Sequence, residues 1–164
     1  QQLLDFEPPR GSDRMPVHRV TWFGAAAFAA WSGRALPTHA EWALAAFGDN
    51  NANEFPWGAG WASSSDKRNI GDDVVEVDAG GNSWRVANGT RLHHLAGNVA
   101  EWLAADAPAA QASLAGGRFS DREANAKEQA RGGLISAAKD DGQKGFGFRT
   151  VLRPRQFAPL QWPQ

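Results

Sequence analysis

Histidines are the first residues of this chain whose type raises the question of chemistry, and there are 4 of them. Imidazole is a common ligand of transition metals, and His93 and His94 are adjacent. Neighbouring residues of an extended chain point to opposite faces, so both rings cannot easily reach one ion. His18 and His39 have no partner at a ligand spacing such as HExxH. The stronger prediction is that His93 and His94 bind no metal. A metal site assembled from histidines far apart in the chain stays open.

Arginine and tryptophan supply the other candidate binding groups. Arg118 follows two glycines, and its planar guanidinium can hold a carboxylate or a phosphate. A solvated side chain, or a salt bridge to Asp121 three residues later, is the commoner outcome for such an arginine. The 8 tryptophans of the chain suit stacking on a sugar or a peptide, although large aromatic residues usually lie in the core.

Composition excludes several function classes. Lys and Arg number 17 against 18 Asp and Glu, so the net charge of -1 draws neither nucleic acid nor an anionic membrane. The absence of cysteine removes disulfides, thiolate nucleophiles and zinc ribbons, but it does not fix the compartment. No apolar run approaches the roughly 20 residues that span a bilayer. We expect no nucleic-acid partner and no membrane insertion, and the localisation, cytoplasmic or periplasmic, stays unknown.

Two early helices must position these side chains. A length of 164 residues suits one domain with a genuine core. Thr21 is a plausible N-cap for the alanine-rich run Trp22 to Trp31, which has helical spacing. Thr38 and Glu41 form a capping box, because each side chain can satisfy a free backbone amide of the other. The box predicts a second helix that runs to Phe47.

The rest of the chain indicates short strands and irregular structure. Asp121 to Arg131 has helical composition. Gly48 to Ser65 shows neither helical nor strand periodicity. Its three large aromatic residues give it apolar surface to bury, so we predict an ordered loop. Asn88 and Gly89 indicate a turn. The predicted strands are Val74 to Val77, Ser83 to Val86, Leu114 to Phe119 and Gly147 to Leu152. The class is therefore α+β, with two early helices packed on short antiparallel strands and much irregular loop.

Three motifs carry a family resemblance. They are PVHRVTWFGAAAFAAWSGRALPTHAEW at Pro16 to Trp42, GNVAEW at Gly97 to Trp102 and GFGFR at Gly145 to Arg149. In that order they resemble the formylglycine-generating enzyme family, also called the sulfatase-modifying-factor domain, a branch of the C-type lectin-like fold. The resemblance implies that residues 16–155 are the later part of such a domain, with a lead-in at 1–15 and a tail at 156–164.

Copper is the first cofactor that the resemblance brings into question. Catalytic members of the family oxidise a substrate cysteine with copper held by two closely spaced cysteines downstream of a GGSW or GGSY motif. The matching text here is Gly116 to Phe119, and the two downstream positions fall near Asp121 and Ala126. Because Cu(I) prefers soft sulfur ligands, the copper chemistry does not transfer to this chain. The resemblance implies an irregular Arg-rich segment over Asp121 to Arg131, which conflicts with the helical composition of that stretch.

Calcium is the second cofactor that the resemblance implies. Family members use an Asn-Ile pair at one site, and main-chain oxygens with the Glu of GNVWEW at another. His94 stands where the second site has Asn or Asp, and imidazole is a poor ligand for calcium. The alternative is that Glu101 and Asn98 hydrogen-bond loop backbone. The positions that the resemblance assigns to calcium are Asn69, Ile70, Gly97, Val99 and Glu101.

The resemblance also sorts the tryptophans. Trp61 and Trp84 are the least tied to family motifs, so with Arg118, which replaces the family's Ser, they are our ligand-binding candidates. The tryptophans at motif positions are predicted to be core, namely Trp22, Trp31, Trp42, Trp57 and Trp102.

Three function classes follow. The preferred hypothesis is a non-catalytic binding or regulatory module that holds a peptide, protein or carbohydrate ligand. The first alternative is a cysteine-independent oxidoreductase or other enzyme of the formylglycine-generating-enzyme superfamily. The second is a structural domain appended to a larger protein, such as a kinase or a secretion component. Because sites are grafted on folds and can be lost from them, the resemblance alone does not decide among these classes.

Overall fold

The computed structural model describes residues 11–48, 53–61, 71, 73–77, 83–85, 91–105 and 109–153, without the side chains of 83–85. Within these residues the chain forms three α-helices and six β-strands. The helices are α1 (Trp22–Trp31), α2 (His39–Phe47) and α3 (Glu123–Ala130), and the strands are β1 (Ser83–Arg85), β2 (Arg91–His93), β3 (Ala100–Trp102), β4 (Gln111–Ala115), β5 (Ile135–Ala138) and β6 (Phe146–Gly147). This mixture confirms the α+β class.

Local capping chemistry places the first two helices where the sequence predicts them. Thr21 Oγ1 accepts a hydrogen bond from the Gly24 amide at 3.1 Å and begins α1. At α2 the Glu41 amide donates to Thr38 Oγ1, and the Thr38 amide donates to the Glu41 carboxylate at 2.7 Å. The helical composition before Arg131 is confirmed by α3. No helix in the described part of the chain has the length and apolarity needed to cross a membrane.

Four of the strands form one sheet in the order β5-β4-β3-β6. The β3–β4 and β4–β5 pairs are antiparallel, and Trp102 lies opposite Leu114. In contrast, β6 runs parallel to β3, with Gly147 opposite Glu101, so the prediction of wholly antiparallel strands is wrong here. Parallel pairing needs a long crossover, which the chain supplies through β4, α3 and β5. β1 and β2 form a separate antiparallel pair.

The strand predicted over Val74 to Val77 is not formed. The backbone of Val75 bonds the Asn98 side chain instead of a neighbouring strand. Its N–H donates to Asn98 Oδ1 at 2.9 Å, and its C=O accepts from Asn98 Nδ2 at 3.2 Å. Instead of pairing with this segment, β1 pairs with β2. The predicted turn at Asn88 and Gly89 lies outside the described residues.

Two other strands are shorter or earlier than predicted. β4 ends before Gly116 and Gly117, whose φ angles of +88° and +79° belong to the left-handed region that only glycine adopts readily. β6 covers Phe146–Gly147, and beyond it only Val151 pairs again within the described residues, in an isolated bridge with Ala35. The predictions of strands to Phe119 and to Leu152 are therefore wrong in extent.

α1 and α2 pack on the sheet through two apolar clusters. Ala25 and Ala29 of α1 lie against Trp102, Leu114 and Phe146 of the sheet. The small alanine side chains let the helix backbone approach the large rings closely, which is how an alanine-rich helix can be specific.

α2 contributes the second cluster. Trp42, Ala46 and Phe47 pack with Leu95 and Leu103. The Trp42 and Phe47 rings meet edge to face, with their centres 6.0 Å apart. This cluster fixes α2 beside the loop that precedes β3.

Not every tryptophan at a motif position is core. Trp42 and Trp102 are buried as predicted, whereas Trp31 at the end of α1 is 83% exposed, so that prediction is wrong. Trp31 contacts Phe28 on the same helix face, and Phe28 contacts Phe148. The rows of α1 that face the sheet are already filled by Ala25 and Ala29, which leaves these larger residues outside.

An arginine clasp holds the last described residues to α2. The Arg153 guanidinium donates to both carboxylate oxygens of Glu41 at 2.7 Å and also to the Leu36 carbonyl. The hydrogen bonds from Arg153 are the main reason that the pKa of Glu41 lies at about 2, below its ordinary value of 4.5, and those from Thr38 act in the same direction. Glu41 therefore serves the capping box and the clasp together.

Replacing Trp102 by alanine should lower the free energy of unfolding by about 3–5 kcal/mol, because the ring is fully buried and its indole N–H donates to the Val20 carbonyl. The matched control is Trp31→Ala, whose exposed ring should cost well under about 1 kcal/mol. Urea denaturation followed by circular dichroism measures both variants. Equal losses would show that the core has been misplaced.

Glu41→Gln should flatten the dependence of stability on pH in acid. A carboxyl whose pKa is depressed on folding stabilises the fold above its unfolded pKa of about 4.5 and loses that contribution as the pH falls toward 2. Since the side chain is about one third exposed, the contribution should stay below about 1 kcal/mol. Thermal melts from pH 5 to pH 2 test this, with exposed Glu128→Gln as the control that should retain the wild-type slope.

Candidate functional site

The three sequence motifs meet at one buried ion pair. Arg149 donates through Nε and Nη2 to the two carboxylate oxygens of Glu101, and Trp42 Nε1 donates to Glu101 Oε2 at 2.8 Å. Arg149 Nη2 also donates to the His93 carbonyl at 3.0 Å. The Glu101 side chain is almost fully buried, and that of Arg149 largely so. This network joins α2, β3 and the residues after β6.

The network bears on the calcium predicted at GNVAEW. Both Glu101 oxygens already accept hydrogen bonds from charged or polar donors, so a calcium ion would have to displace the guanidinium. The Gly97 amide donates to the Gly116 carbonyl, and Val99 is buried. The arrangement therefore disfavours calcium at Glu101. Asn69 and Ile70 lie outside the described residues, and calcium there stays a prediction.

The alternative given for this motif is half confirmed. Asn98 does hydrogen-bond loop backbone, because it holds Val75. Glu101, however, bonds a guanidinium and an indole instead of backbone. The arginine of GFGFR and the tryptophan of HAEW are natural donors to a buried carboxylate. Both lie far from Glu101 along the chain, so no short sequence pattern connects them.

The two adjacent histidines, His93 and His94, have different environments, as expected of a pair that does not share a ligand. His94 is buried, and its Nε2 lies 2.9 Å from the Glu76 carbonyl oxygen. Burial lowers the pKa of His94, so the neutral ring donates from Nε2 near pH 7. Among the residues that the structure describes, no three of the His, Asp and Glu side chains cluster as a metal site would require. His18, His39 and His93 are thus not brought together.

Arg118 forms the salt bridge that was the commoner alternative. Its Nε donates to Asp121 Oδ1 at 3.0 Å, and its backbone N–H donates to Asp121 Oδ2 at 2.7 Å. Nη1 donates to Gln143 Oε1, and the guanidinium lies over the Phe146 ring at 5.5 Å. Asp121 is only 6% exposed. Its carboxylate therefore holds the turn after β4 closed.

Gly117 shows how tightly this turn is built. A Cβ at that position would lie 2.5 Å from Gln129 Oε1 and 3.3 Å from Asp121 Oδ2. Ala126, the second position considered for a metal ligand, is a buried methyl group on α3. Neither Asp121 nor Ala126 offers a soft ligand, so the residues present do not fit Cu(I).

Trp61 belongs to a segment that we name the aromatic loop, residues 53–61. Trp57 stacks on buried Phe55 with an interplanar angle of 6°, and Trp61 tilts against both rings at 5.4 and 5.9 Å. The indole N–H of Trp61 donates to Glu123 Oε1 at 2.8 Å. Trp57 and Trp61 are half-buried, which falls between the core and surface predictions. The side chain of Trp84 lies outside the described part of the structure.

A groove with a volume of about 400 Å³ lies beside the aromatic loop, and we name it the α2–α3 groove. Its wall residues come from α2, from the aromatic loop and from the end of α3. They are His39, Ala43, Phe47, Asn53, Glu54 and Arg131, with Gly132 closing one side. Sequence reasoning missed this site, because it is assembled from three segments that no motif connects.

Arg149→Met should cost about 3–5 kcal/mol in the free energy of unfolding, because it leaves the Glu101 carboxylate buried without its cation. The double variant Glu101→Gln with Arg149→Met removes both charges and should lose less than the single variant. Denaturant titration of the four proteins of this double-mutant cycle gives the coupling energy. Additive losses would contradict the buried pair.

Comparison with known proteins gives one family match. The model of the "Sulfatase-modifying factor enzyme 1-like domain" family matches residues 5–154. The formylglycine-generating enzyme of Thermomonospora curvata is 36% identical over 100 residues, which cover 54% of this chain and 33% of that protein. The "Inactive C-alpha-formylglycine-generating enzyme 2" of Mus musculus is 35% identical over 98 residues, covering 55% and 32%. The match spans about a third of the length of these curated relatives.

Among solved structures, that of CarF is similar in fold. It aligns with a TM-score of 0.64 over 88% of this chain and 70% of CarF, at 20% sequence identity. At this identity the likeness shows the fold alone.

Proposed function

Since this chain belongs to the sulfatase-modifying factor enzyme 1-like family, with the fold that its motifs predicted, we propose that it is a non-catalytic module that holds a ligand. The expected ligand classes are a peptide, a protein or a carbohydrate. The observation that carries the proposal is Asp121. It stands near a position where the resemblance expects a copper-binding cysteine, and here its carboxylate closes a turn by bonding Arg118.

The replacement of the cysteines affects the scaffold as well as the chemistry. Asp121 bonds a backbone amide and a guanidinium, and Ala126 is on the buried face of α3, so both positions have structural roles of their own. In this chain the two positions near which the resemblance expects copper ligands therefore stabilise the turn after β4 and α3. One of the similar proteins is itself named inactive, which agrees with this proposal.

The binding role draws support from surface chemistry. The aromatic loop presents two half-buried indoles, and it borders a groove with both polar and apolar walls. Small-molecule sites combine these two kinds of lining. Of the sequence candidates, Trp61 is half-buried in the aromatic loop, whereas Arg118 has Nε and Nη1 bonded to Asp121 and Gln143.

The non-catalytic part of the proposal is tested with a cysteine-containing peptide and copper(I) under air. The full chain should leave the peptide thiol intact by mass spectrometry, because no thiolate is present to bind the metal. The formylglycine-generating enzyme of Thermomonospora curvata serves as the positive control. Conversion of the peptide cysteine to an aldehyde by this chain would overturn the proposal.

The binding part is tested on an array that carries both peptides and neutral glycans. We expect a ligand that the wild-type chain retains and that Trp61→Ala loses at least tenfold, since the variant removes a stacking ring of the aromatic loop. Trp31→Ala is the matched tryptophan control, because it removes an exposed ring elsewhere. Thermal melts confirm that both variants fold. If the wild-type chain retains nothing on the array, the binding role fails.

A further inference from the structure

The outward face of α1 is as apolar as its inward face. None of the 10 residues of this helix is charged or carries a hydroxyl or an amide side chain. Ala25 and Ala29 are buried against the sheet. Away from the sheet, Phe23 and Phe28 are 56% and 49% exposed, and Trp31 is more exposed still. Because a helix that is apolar all round is normally covered on every side, the outward face is expected to have a partner.

The exposed residues of α1 form a stripe that is symmetric about Ala27. Phe23 lies four residues before Ala27 and Trp31 lies four residues after it, and all three are exposed. Residues four apart lie on one ridge of a helix, so this ridge is large at both ends and small at its centre. When two such helices cross in antiparallel directions at Ala27, a two-fold axis through that residue brings Phe23 of each copy opposite Trp31 of the other. The stripe therefore fits a second copy of itself.

An apolar depression of about 570 Å³ lies beside this stripe. Its apolar wall residues are Val17, Val20, Gly24, Phe28 and Phe148. Gly24 follows Phe23 in the helix, so the same antiparallel crossing brings Trp31 of one copy to the edge of the depression of the other. Tryptophan rings that fill pockets are typical anchors of protein interfaces. The depression and the exposed ring thus supply the two halves of one contact.

Charges at the two ends of α1 agree with the antiparallel direction. Arg34 is exposed just after the end of the helix. At its start the first helical amide donates to the Lys139 carbonyl at 3.0 Å, which places the exposed Asp140 near that end. Arg19 lies at the same end, and Asp141 offsets its charge. An antiparallel pair therefore brings a basic end of each copy toward an acidic end of the other.

The exposed area indicates how strong such an association would be. The rings of Phe23, Phe28 and Trp31 together expose about 400 Å², taking about 200 Å² for a whole aromatic side chain. A standard interface buries roughly 800 Å² on each partner, and weak, transient ones bury less. The area suits a reversible dimer with a dissociation constant in the micromolar range.

We propose that two copies of this chain associate through α1 in an antiparallel, two-fold arrangement. Ala27 lies at the axis, and each Trp31 ring packs against the apolar depression of the other copy. This contact covers an apolar surface that a lone copy leaves in water. The association does not depend on the ligand-binding role proposed for the chain.

Sedimentation velocity of the full chain between about 1 and about 200 µM tests the association. The wild type should shift reversibly from monomer to dimer, and Trp31→Asp should stay monomeric, because the dimer would bury its carboxylate without a partner. Leu44→Asp is the matched control, since it changes an exposed leucine of α2 and should dimerise as the wild type does. Trp31→Ala should weaken the dimer at least about tenfold but leave the stability of the dissociated monomer unchanged.

The two-fold geometry has a separate test, because the chain has no cysteine of its own. Ala27→Cys should form a disulfide-linked dimer under mild oxidation, since a residue on a two-fold axis meets its own copy within the roughly 4–7 Å between Cα atoms that a disulfide spans. Leu44→Cys is the control and should remain a monomer on a non-reducing gel. Equal cross-linking of the two variants would contradict the proposed axis.

The outcomes separate this inference from the proposed function. A wild-type chain that stays monomeric at every concentration overturns the dimer and leaves another segment or a different protein as the occupant of this face. A dimer that Trp31→Asp leaves intact overturns the use of α1. Neither result alters the outcome of the copper assay or the array, and a wild-type chain that retains nothing on the array leaves the dimer standing.

Discussion

The Glu101–Arg149 pair is the interaction on which the rest of this fold depends. It lies where β3 and β6 run parallel, and it draws α2 in through the indole of Trp42. A buried carboxylate without its guanidinium would cost several kcal/mol, so the pair requires that helix, sheet and returning chain arrive together. The GNVAEW and GFGFR motifs are thus two halves of one contact. Through this contact both motifs stabilise the fold.

A second buried carboxylate, that of Asp121, shapes the turn after β4. Asp121 turns a position associated with metal binding into a hydrogen-bonded turn, and Gly117 leaves room for that carboxylate. Fold and activity are separable because the core does not need the reactive groups. Binding can then develop elsewhere on the surface. Under the proposed function, the aromatic loop and the end of α3 are the candidate binding surface of this chain.

A pair of opposite charges in its wall distinguishes the α2–α3 groove from a second surface depression in the described part of the chain. That second depression, of about 570 Å³, is lined mainly by apolar side chains near Phe28 and Phe148. Its described wall residues include no pair of opposite charges like Glu54 and Arg131. Glu54 accepts a hydrogen bond from the Gly60 amide, and Arg131 lies over the Phe55 ring, so both members of the pair contact the aromatic loop.

The sequence by itself determined what depends on near neighbours. Thr21 and Thr38 fixed the starts of α1 and α2, and the absence of cysteine removed the soft ligands that Cu(I) prefers, because capping and ligand preference act locally. Tertiary structure decided the rest. Three features depend on contacts between residues far apart in the chain. They are the bonding of Val75 to Asn98 instead of a strand, the exposure of Trp31 on α1, and the meeting of three segments in the α2–α3 groove. Such contacts follow no regular sequence pattern. They are selected in the folded state, where residues compete for burial and for hydrogen-bond partners.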